Sequence, residues 1–233
     1  MINIRRSSAR GHFDFGWLKT YHTFSFGDYQ DPAHTHFRSL RVINEDYVQE
    51  GMGFPTHAHR DMEIVTFIID GELEHKDSMG TGSVILTGEV QYMSAGSGVT
   101  HSEFNPSKKN PTHLLQLWIF PGKKGLKPVY AQKDFSSEMK KEGLTLLVSG
   151  NSEKEAIQIR QDAGIYHGRL KPGAKMVYEP LPGRGIWVQI FQGTVNLLKN
   201  DLTSGDGASI EDEKKIEIMA GREECRFLLF DLK

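Results

Sequence analysis

Short apolar segments separated by glycine constrain this chain more than any other feature of its sequence. The segments are rich in Val, Ile, Leu and Phe, and the 24 glycines mark many of the breaks between them. Runs of about four to eight such residues favour strands over helices, and glycine between them favours tight turns. The clearest candidates in the first half are Leu40–Ile43, Glu63–Ile69, Ser83–Leu86, Gln91–Ser94 and Leu114–Phe120. The pattern predicts an all-β barrel or sandwich.

The middle of the chain differs from the segments on either side. From Pro121 to about Glu155 it is polar and lysine-rich, with Leu144–Val148 as its one long apolar run, which indicates a connecting region. Ser136–Lys141 is predicted to form a short helix with Ser136 as its N-cap. A second strand-rich block follows, with candidates at Ala163–Leu170, Ile186–Gln192, Thr194–Leu198, Glu217–Met219 and Arg226–Leu232.

The two strand-rich blocks resemble each other. Val65–His75 (VTFIIDGELEH) and Trp187–Leu197 (WVQIFQGTVNL) both read as an apolar run, a polar residue, a glycine and a second strand. Any two hairpins share some of this pattern, but the match favours an internal repeat of one domain type.

Composition excludes several classes of protein. The chain of 233 residues has one cysteine, Cys225, so it cannot form an internal disulfide. Its net charge of −2 and the absence of a block of like charge argue against direct nucleic-acid binding. The N-terminal sequence lacks an apolar signal region, and no apolar run of about 18 residues predicts a membrane helix. We expect a cytoplasmic protein with no membrane partner.

Two pairs of metal-ligand residues have the spacing of a strand. Side chains two residues apart share one face of a strand, so His57 and His59 point the same way, as do His101 and Glu103. If two neighbouring strands carry these pairs, four ligands meet at one point. A single strand histidine is more often bonded to backbone or solvent, but the two pairs together favour a metal site. Glu63 keeps the parity of His57 and His59 if that strand stays regular.

The chemistry of these side chains limits the metal. Imidazole and carboxylate ligands suit Fe(II), Ni(II), Cu(II), Mn(II), Co(II) or Zn(II). Four protein ligands on an octahedral ion leave two positions, where a substrate oxygen and dioxygen or water could bind. A structural zinc site is closed and usually contains cysteine. Cys225 is far away in sequence, so a structural zinc site is the weaker interpretation.

These segments resemble the cupin superfamily and, within it, the pirin family. Gly51, His57, His59, Glu63 and Gly71 match the first cupin motif, and Gly88, Gly96, His101 and Asn105 match the second, with Ser94 in place of a proline. The pirin-like phrases are YHTFSFGDY, LRVINED, HAHRDMEIVTFIIDGELEHKDSMG and MSAGSGVTHSEFNP, between Tyr21 and Pro106, and LLFDL near the C-terminus. The likeness is most specific over residues 10–120.

The resemblance implies two tandem cupin barrels with a metal only in the first. The expected domains are a metal-binding barrel over 1–130, a connecting region over 131–155 and a degenerate barrel over 156–233. The resemblance assigns the ligands as His57, His59, His101 and Glu103. Glu63 then either orients a histidine or has no role at the site. The second barrel lacks a paired-histidine motif, and His167 is its one histidine.

Three functions are compatible with this resemblance. Bacterial pirins resemble quercetin 2,3-dioxygenases, which open a flavonol ring with O₂ and release carbon monoxide; Glu103 would be the catalytic base. The cofactor would be one divalent transition metal ion, with iron favoured and copper, nickel, manganese, cobalt or zinc as alternatives. Eukaryotic pirins resemble metal- or redox-dependent regulators that act through a protein partner. Isomerisation or sugar binding would require a cavity lined with polar groups. We favour a dioxygenase that acts, as a monomer, on a small aromatic or phenolic substrate and O₂.

Other candidate residues have simpler interpretations. His34 and His36 follow a turn signal and are expected in a loop over the barrel mouth, and His75 and His113 are expected to be strand or surface histidines. His22 is expected to pack against the barrel or to wall an aromatic pocket. The apolar residues that flank the predicted ligands could line a cavity or form core: Phe54, Met62, Met93 and Phe104.

Overall fold

The fold is built almost entirely from strands. The computed structural model describes residues 1–151 and 153–233. Within these ranges the helical segments are two short 3-10 helices, Ser7–Ala9 and Glu138–Lys140, and no helix is long and apolar enough to cross a membrane. The strands in chain order are β1 (Ile2–Arg5), β2 (Gly11–Asp14), β3 (Leu18–His22), β4 (Leu40–Val48), β5 (Gly53–His59), β6 (Glu63–Asp70), β7 (Glu72–Asp77), β8 (Gly82–Leu86), β9 (Glu89–Ser94), β10 (Val99–Phe104), β11 (Thr112–Ile119), β12 (Val129–Asp134), β13 (Gly143–Ser149), β14 (Ile157–Gln158), β15 (Ala163–Leu170), β16 (Lys175–Tyr178), β17 (Gly185–Gln192), β18 (Thr194–Leu197), β19 (Asn200–Thr203), β20 (Gly207–Ile210), β21 (Ile216–Ala220) and β22 (Cys225–Leu232).

The strands form two compact units, here called the first and second barrels. The first barrel comprises Gly11–Ser136 and Ile159–Gln161. The second comprises Met1–Arg10, Ser137–Gln158 and Asp162–Lys233. Each barrel has one seven-stranded and one four-stranded sheet. The predicted all-β fold of two cupin barrels is confirmed.

In the first barrel, strands distant in sequence become neighbours. Its large sheet has the order β12-β9-β6-β11-β4-β3-β2 and its small sheet the order β5-β10-β7-β8. The central strand β6 is buried over its first six residues, as expected for a strand with partners on both edges and a sheet face against the core. The sheet order places β5, with its histidine pair, directly beside β10.

The second barrel repeats this order. Its large sheet runs β1-β20-β17-β22-β15-β13-β14 and its small sheet β16-β21-β18-β19. The hairpin of β6 and β7 turns at Gly71 with a φ of 85°, and the hairpin of β17 and β18 turns at Gly193 with a φ of 76°, a conformation that glycine adopts without strain. The two hairpins hold equivalent places in the two strand orders, as an internal repeat requires.

The bounds of the second barrel differ from the predicted domain bounds. β1 pairs antiparallel with β20, so the first residues of the chain form an edge of the second barrel and not of the first. β1 takes the edge position beside β20 that β12 holds beside β9. The predicted connecting region over 131–155 includes the end of β12 and all of β13. Sequence position cannot reveal such a pairing, since it joins strands far apart in the chain.

The predicted helix over Ser136–Lys141 is shorter than expected. Only Glu138–Lys140 is helical, as a 3-10 turn, and its N-cap is Ser137, whose side chain makes no capping hydrogen bond. Met139 is the turn's one buried residue. A single apolar contact is too little to offset the cost of nucleating a longer helix.

Candidate metal centre

Three histidines meet where β5 and β10 pair. In the antiparallel register His57 lies opposite His101, and His59 lies opposite Val99. Strand alternation puts His57 and His59 on one face, as the spacing predicted. The ring centroids are 4.4 Å apart for His57 and His101, 4.8 Å for His57 and His59, and 4.9 Å for His59 and His101. Each ring offers one nitrogen that could bind a metal, and these three nitrogens lie within 4.8 Å of one another.

Two of the rings have an Nε2 atom that is available to bind a metal. The Nδ1–H of His57 donates to the Pro55 carbonyl oxygen at 2.8 Å, which leaves Nε2 as the ring's acceptor. The Nε2 atom of His101 is buried and has no hydrogen-bond partner among the described residues. A buried nitrogen without a partner carries a desolvation cost that a bound metal ion would remove. The observation fits a metal centre.

Two of the three histidines are held in the neutral form that binds metals. Burial, and then the nearby His57, lower the pKa of His59 to about 4. Burial, followed by His57, His59 and His75, lowers the pKa of His101 to about 2. Both rings are therefore neutral at pH 7, as metal coordination requires. Neutral imidazoles such as these two suit a divalent transition metal.

Glu103 is buried next to this cluster, with 3% of its surface exposed. The register of β10 against β5 shifts between His101 and Glu103, so a local irregularity separates the two residues. A carboxylate oxygen of Glu103 groups with nitrogens of His75 and His101 within 4.8 Å. The amide of Gln116 donates to both Glu103 oxygens, at 3.0 and 3.2 Å. Glu103 as the fourth ligand beside His57, His59 and His101 stays a prediction.

Burial raises the pKa of two carboxyl groups beside the cluster. The pKa of Glu103 rises to about 7, first because of burial and then because of the charge of Asp46. The pKa of Asp46 also rises to about 7, because of burial and then because of Glu45. A neighbouring cation would favour the charged form of both groups.

Glu63 does not share the face of the histidine pair. The chain turns after His59, with Asp61 at a φ of 50°, and Glu63 begins β6 in the other sheet. Its buried carboxylate accepts hydrogen bonds from the Tyr92 hydroxyl, from Ser94 Oγ at 2.7 Å and from the Arg160 amide at 3.2 Å. Because the strand ends at this turn, Glu63 does not follow the alternation that puts His57 and His59 on one face.

His75 lies next to the histidine cluster, a position that the sequence analysis did not assign to it. It lies on β7, next to β10, and its side chain is fully buried. Its Nε2 lies 3.1 Å from Asp77 Oδ2, and its Nδ1 lies 3.3 Å from His101 Nδ1. Of the two expected places, strand or surface, His75 takes the strand position, with its side chain in the interior. The available signal was strand alternation, because His75 is two residues from the apolar Leu73 and so shares its buried face of β7.

A cavity of about 230 Å³ opens onto the three histidines. One wall is apolar and mostly aromatic: Phe13, Phe15, Leu18, Phe26, Phe54, Ile64 and Trp118. Polar side chains, with Gly27 and the three histidines, line the rest: Thr20, His22, Asp28, Asn44, Asp46, Glu103 and Gln116. Trp118 packs edge-on to His59, with centroids 4.9 Å apart. Sequence reasoning missed the β11 residues Gln116 and Trp118, because no nearby motif marks them.

The other residues singled out in the sequence have separate places. Phe54 and His22 line the cavity, whereas Met62 and Met93 belong to an apolar cluster with Ile64 and Val99. His34 Nδ1 contacts Asp31 Oδ2 at 2.8 Å outside the named strands, consistent with the predicted loop. In β11, His113 stacks on Tyr47 with centroids 4.0 Å apart.

The second barrel has buried apolar residues on the strands that correspond to those of the histidine cluster. β16 and β21 hold the places of β5 and β10 in the strand order. The side chains of Ile216, Ile218 and Ala220 from β21 are buried in an apolar cluster, with Met176 and Tyr178 of β16 packed against it. This part of the second barrel is packed core.

The first barrel has two sheets and a histidine cluster, and the second barrel has the same strand order. These features define a two-barrel cupin protein. The family model described as Pirin matches residues 3–119, and the model described as the quercetinase C-terminal cupin domain matches residues 146–232. The chain belongs to the pirin family.

Individual relatives match over the whole chain. A protein named quercetin 2,3-dioxygenase from Escherichia coli strain K12 is 40% identical over 232 residues, covering 100% of this chain and 99% of the relative. The crystal structure of YhhW from Escherichia coli superposes with a TM-score of 0.96 at 40% identity, covering 100% of this chain and 98% of the other. A structure of bacterial pirin YhhW with nickel(II) gives a TM-score of 0.95, also at 40% identity, covering 100% and 99% of the two chains.

Proposed function

We propose that this protein is a metal-dependent dioxygenase that opens the ring of a flavonol-like phenol with O₂. The observation that carries the proposal is the meeting of three histidine nitrogens at the wall of an aromatic-lined cavity. The activity name of the Escherichia coli relative and the nickel(II) complex of bacterial pirin support it. Both halves of the proposal, the metal and the reaction, can be tested separately.

His57, His59 and His101 would hold the metal, with Glu103 as the fourth ligand. When bound, a divalent metal supplies Lewis acidity that makes a coordinating phenolic hydroxyl more acidic. The hydrogen bond from His57 to the Pro55 carbonyl fixes the ring with Nε2 toward the other two histidines. Iron is the favoured occupant, and nickel, copper, manganese, cobalt and zinc suit the same donors.

Glu103 would accept the proton of the substrate hydroxyl. A bound cation would favour the charged form of this buried carboxylate, and a carboxylate can accept a proton from a substrate hydroxyl. The Gln116 amide holds both carboxylate oxygens and thereby fixes the orientation of the base. Proton acceptance by Glu103 would leave an electron-rich phenolate in the cavity, ready for reaction with O₂.

The cavity walls would orient an aromatic ring and exclude water. Phe26 and Trp118 meet edge to face, with centroids 5.2 Å apart, and together with Phe54 they offer apolar ring surfaces. Asn44 and Asp46 provide polar groups that can bind further hydroxyls. The aromatic side chains of this lining suit the ring of a phenol.

The test is oxygen uptake with quercetin by metal-loaded protein, together with detection of carbon monoxide. Metal content is measured first by elemental analysis of protein purified without added metal. His59→Ala is expected to lower both bound metal and oxygen uptake by more than tenfold. His36→Ala is the control, since His36 lies outside the cavity lining and packs against Phe120. Equal activity of His59→Ala and wild type would reject the metal assignment.

The separate role of Glu103 needs a second variant. Glu103→Gln keeps the side-chain size and removes the proton acceptor. If Glu103 is the base, this variant loses most of its turnover in excess metal, because added metal cannot replace the missing base. Full turnover of metal-saturated Glu103→Gln would exclude Glu103 as the base.

A further inference from the structure

A row of three buried side chains leads away from the histidine cluster. Asp77 and His75 both lie on β7 with fully buried side chains, and His101 on β10 is 2% exposed. Asp77 Oδ2 lies 3.1 Å from His75 Nε2, and His75 Nδ1 lies 3.3 Å from His101 Nδ1. His101 Nε2, at the end of the row, has no partner among the residues described. The row thus ends on a nitrogen of the proposed metal centre.

We infer that Asp77 and His75 are positioning residues that fix which ring nitrogen of His101 carries the proton. A carboxylate only accepts, so His75 must hold its proton on Nε2. His75 Nδ1 is then an acceptor, and His101 must donate to it from Nδ1. His101 Nε2 is left as a bare lone pair, the form a metal ligand requires. This inference rests on the proposed metal site.

The orientation of Asp77 is itself fixed. Its Oδ1 accepts two backbone hydrogen bonds, from Met79 N at 2.9 Å and Thr81 N at 3.0 Å. Because Oδ1 is committed to this turn, Oδ2 is the oxygen that faces His75. The carboxylate cannot exchange its two oxygens without breaking the turn.

Because of this arrangement, Asp77→Asn should reverse the direction of the hydrogen bonds along the row. The amide oxygen has to take the place of Oδ1, since two N–H groups point at it, so the amide NH₂ faces His75 Nε2. His75 then accepts on Nε2 and donates from Nδ1, and His101 must accept on Nδ1. The proton of His101 moves to Nε2, where it blocks coordination. The side-chain volume hardly changes, so the variant tests the direction of these hydrogen bonds and not the packing.

The first measurement needs no metal. Long-range ¹⁵N–¹H NMR of the metal-free full chain distinguishes the protonated nitrogen of each histidine ring. The wild type is expected to show His75 protonated on Nε2 and His101 on Nδ1, and Asp77→Asn should show both reversed. A wild-type His101 protonated on Nε2 would overturn the inference whatever the variant does.

The second measurement is Ni²⁺ affinity by calorimetry. Loss of an outer hydrogen-bond partner of a metal-bound histidine typically weakens binding about 10- to 100-fold, and Asp77→Asn should fall in this range. Glu74→Gln is the matched control, because it makes the same carboxylate-to-amide change on β7 in a residue paired with Lys76. It should bind Ni²⁺ like the wild type. Reversed tautomers with unchanged Ni²⁺ affinity would also overturn the inference.

The two measurements separate this inference from the proposed function. A wild type that binds no Ni²⁺ would refute the proposed metal site, and NMR would still decide the proton order. A wild type that binds Ni²⁺ but consumes no oxygen would refute the dioxygenase, while the affinity comparison stays decisive. If Asp77→Asn proves unfolded by circular dichroism, the wild-type NMR result alone decides.

Discussion

Gly53 lies where the two strands of the histidine cluster, β5 and β10, approach closely. It begins β5 and lies opposite Phe104 of β10, in the same strand pair that brings His57 opposite His101. A Cβ added at Gly53 would lie 2.2 Å from the Glu103 backbone oxygen and 2.5 Å from Phe104 Cα. Both neighbours are backbone atoms, so a flexible side chain cannot move aside. Gly53→Ala should therefore push β5 away from β10.

The size of the effect follows from these distances. Ordinary contacts begin near 3.4 Å, so the strands must separate by roughly 1 Å. Overpacking of this kind costs about 1–3 kcal/mol. For a protein of this size each kcal/mol lowers Tm by about 2–4 °C, so a decrease of about 2–12 °C is expected. Metal–ligand distances tolerate only about 0.2 Å, so the strand displacement should weaken Ni²⁺ binding at least about tenfold.

The assay compares Gly53→Ala with Gly82→Ala. Gly82 begins β8 of the same sheet, and its added Cβ would meet nothing closer than 3.8 Å. Thermal unfolding and Ni²⁺ calorimetry are measured on both variants and on the wild type. Gly82→Ala should match the wild type in both. A Gly53→Ala protein with wild-type Tm and Ni²⁺ affinity would show that the approach of β5 to β10 does not set the site.

Three further predictions concern charge, hydrogen bonding and metal removal. The folded-state pKa of Asp46 is about 7 against an ordinary 3.8, so burial of this carboxyl group costs stability as pH rises from about 4 to 7. In denaturant titrations of metal-free protein, Asp46→Asn should remove that loss, by up to about 4 kcal/mol at pH 8 and nothing at pH 3. Glu63→Gln leaves a buried hydroxyl of Tyr92 or Ser94 without its acceptor and should cost about 1–3 kcal/mol, while Ni²⁺ affinity stays unchanged; a tenfold affinity loss would contradict the separation of Glu63 from the site. Chelation should lower the Tm of metal-loaded protein, because free metal at 100 times Kd stabilises the folded state by about 2.7 kcal/mol. Scanning calorimetry should show no such change in Tm for His57→Ala.

Local patterns in the sequence were enough to find many of the strands and the pairing of His57 with His59 on one face. Ala163–Leu170 was predicted with the bounds that the structure has, because an apolar run between turn residues has few alternatives. The shared face of His57 and His59 follows from strand alternation alone, a property of the backbone that needs no tertiary contact. The resemblance to pirins then supplied the two-barrel fold.

The neighbours of those strands were decided by tertiary structure. Alternation tells which face a side chain occupies but not which strand lies beside it, and strand pairing here joins residues far apart in the chain. Sequence patterns therefore did not indicate that β1 completes the second barrel, that Glu63 turns into the other sheet, or that His75 would lie beside His101. The aromatic wall at Trp118 likewise exists only because β11 packs where the sheet order places it. Such positions depend on long-range packing, which a local sequence pattern does not encode.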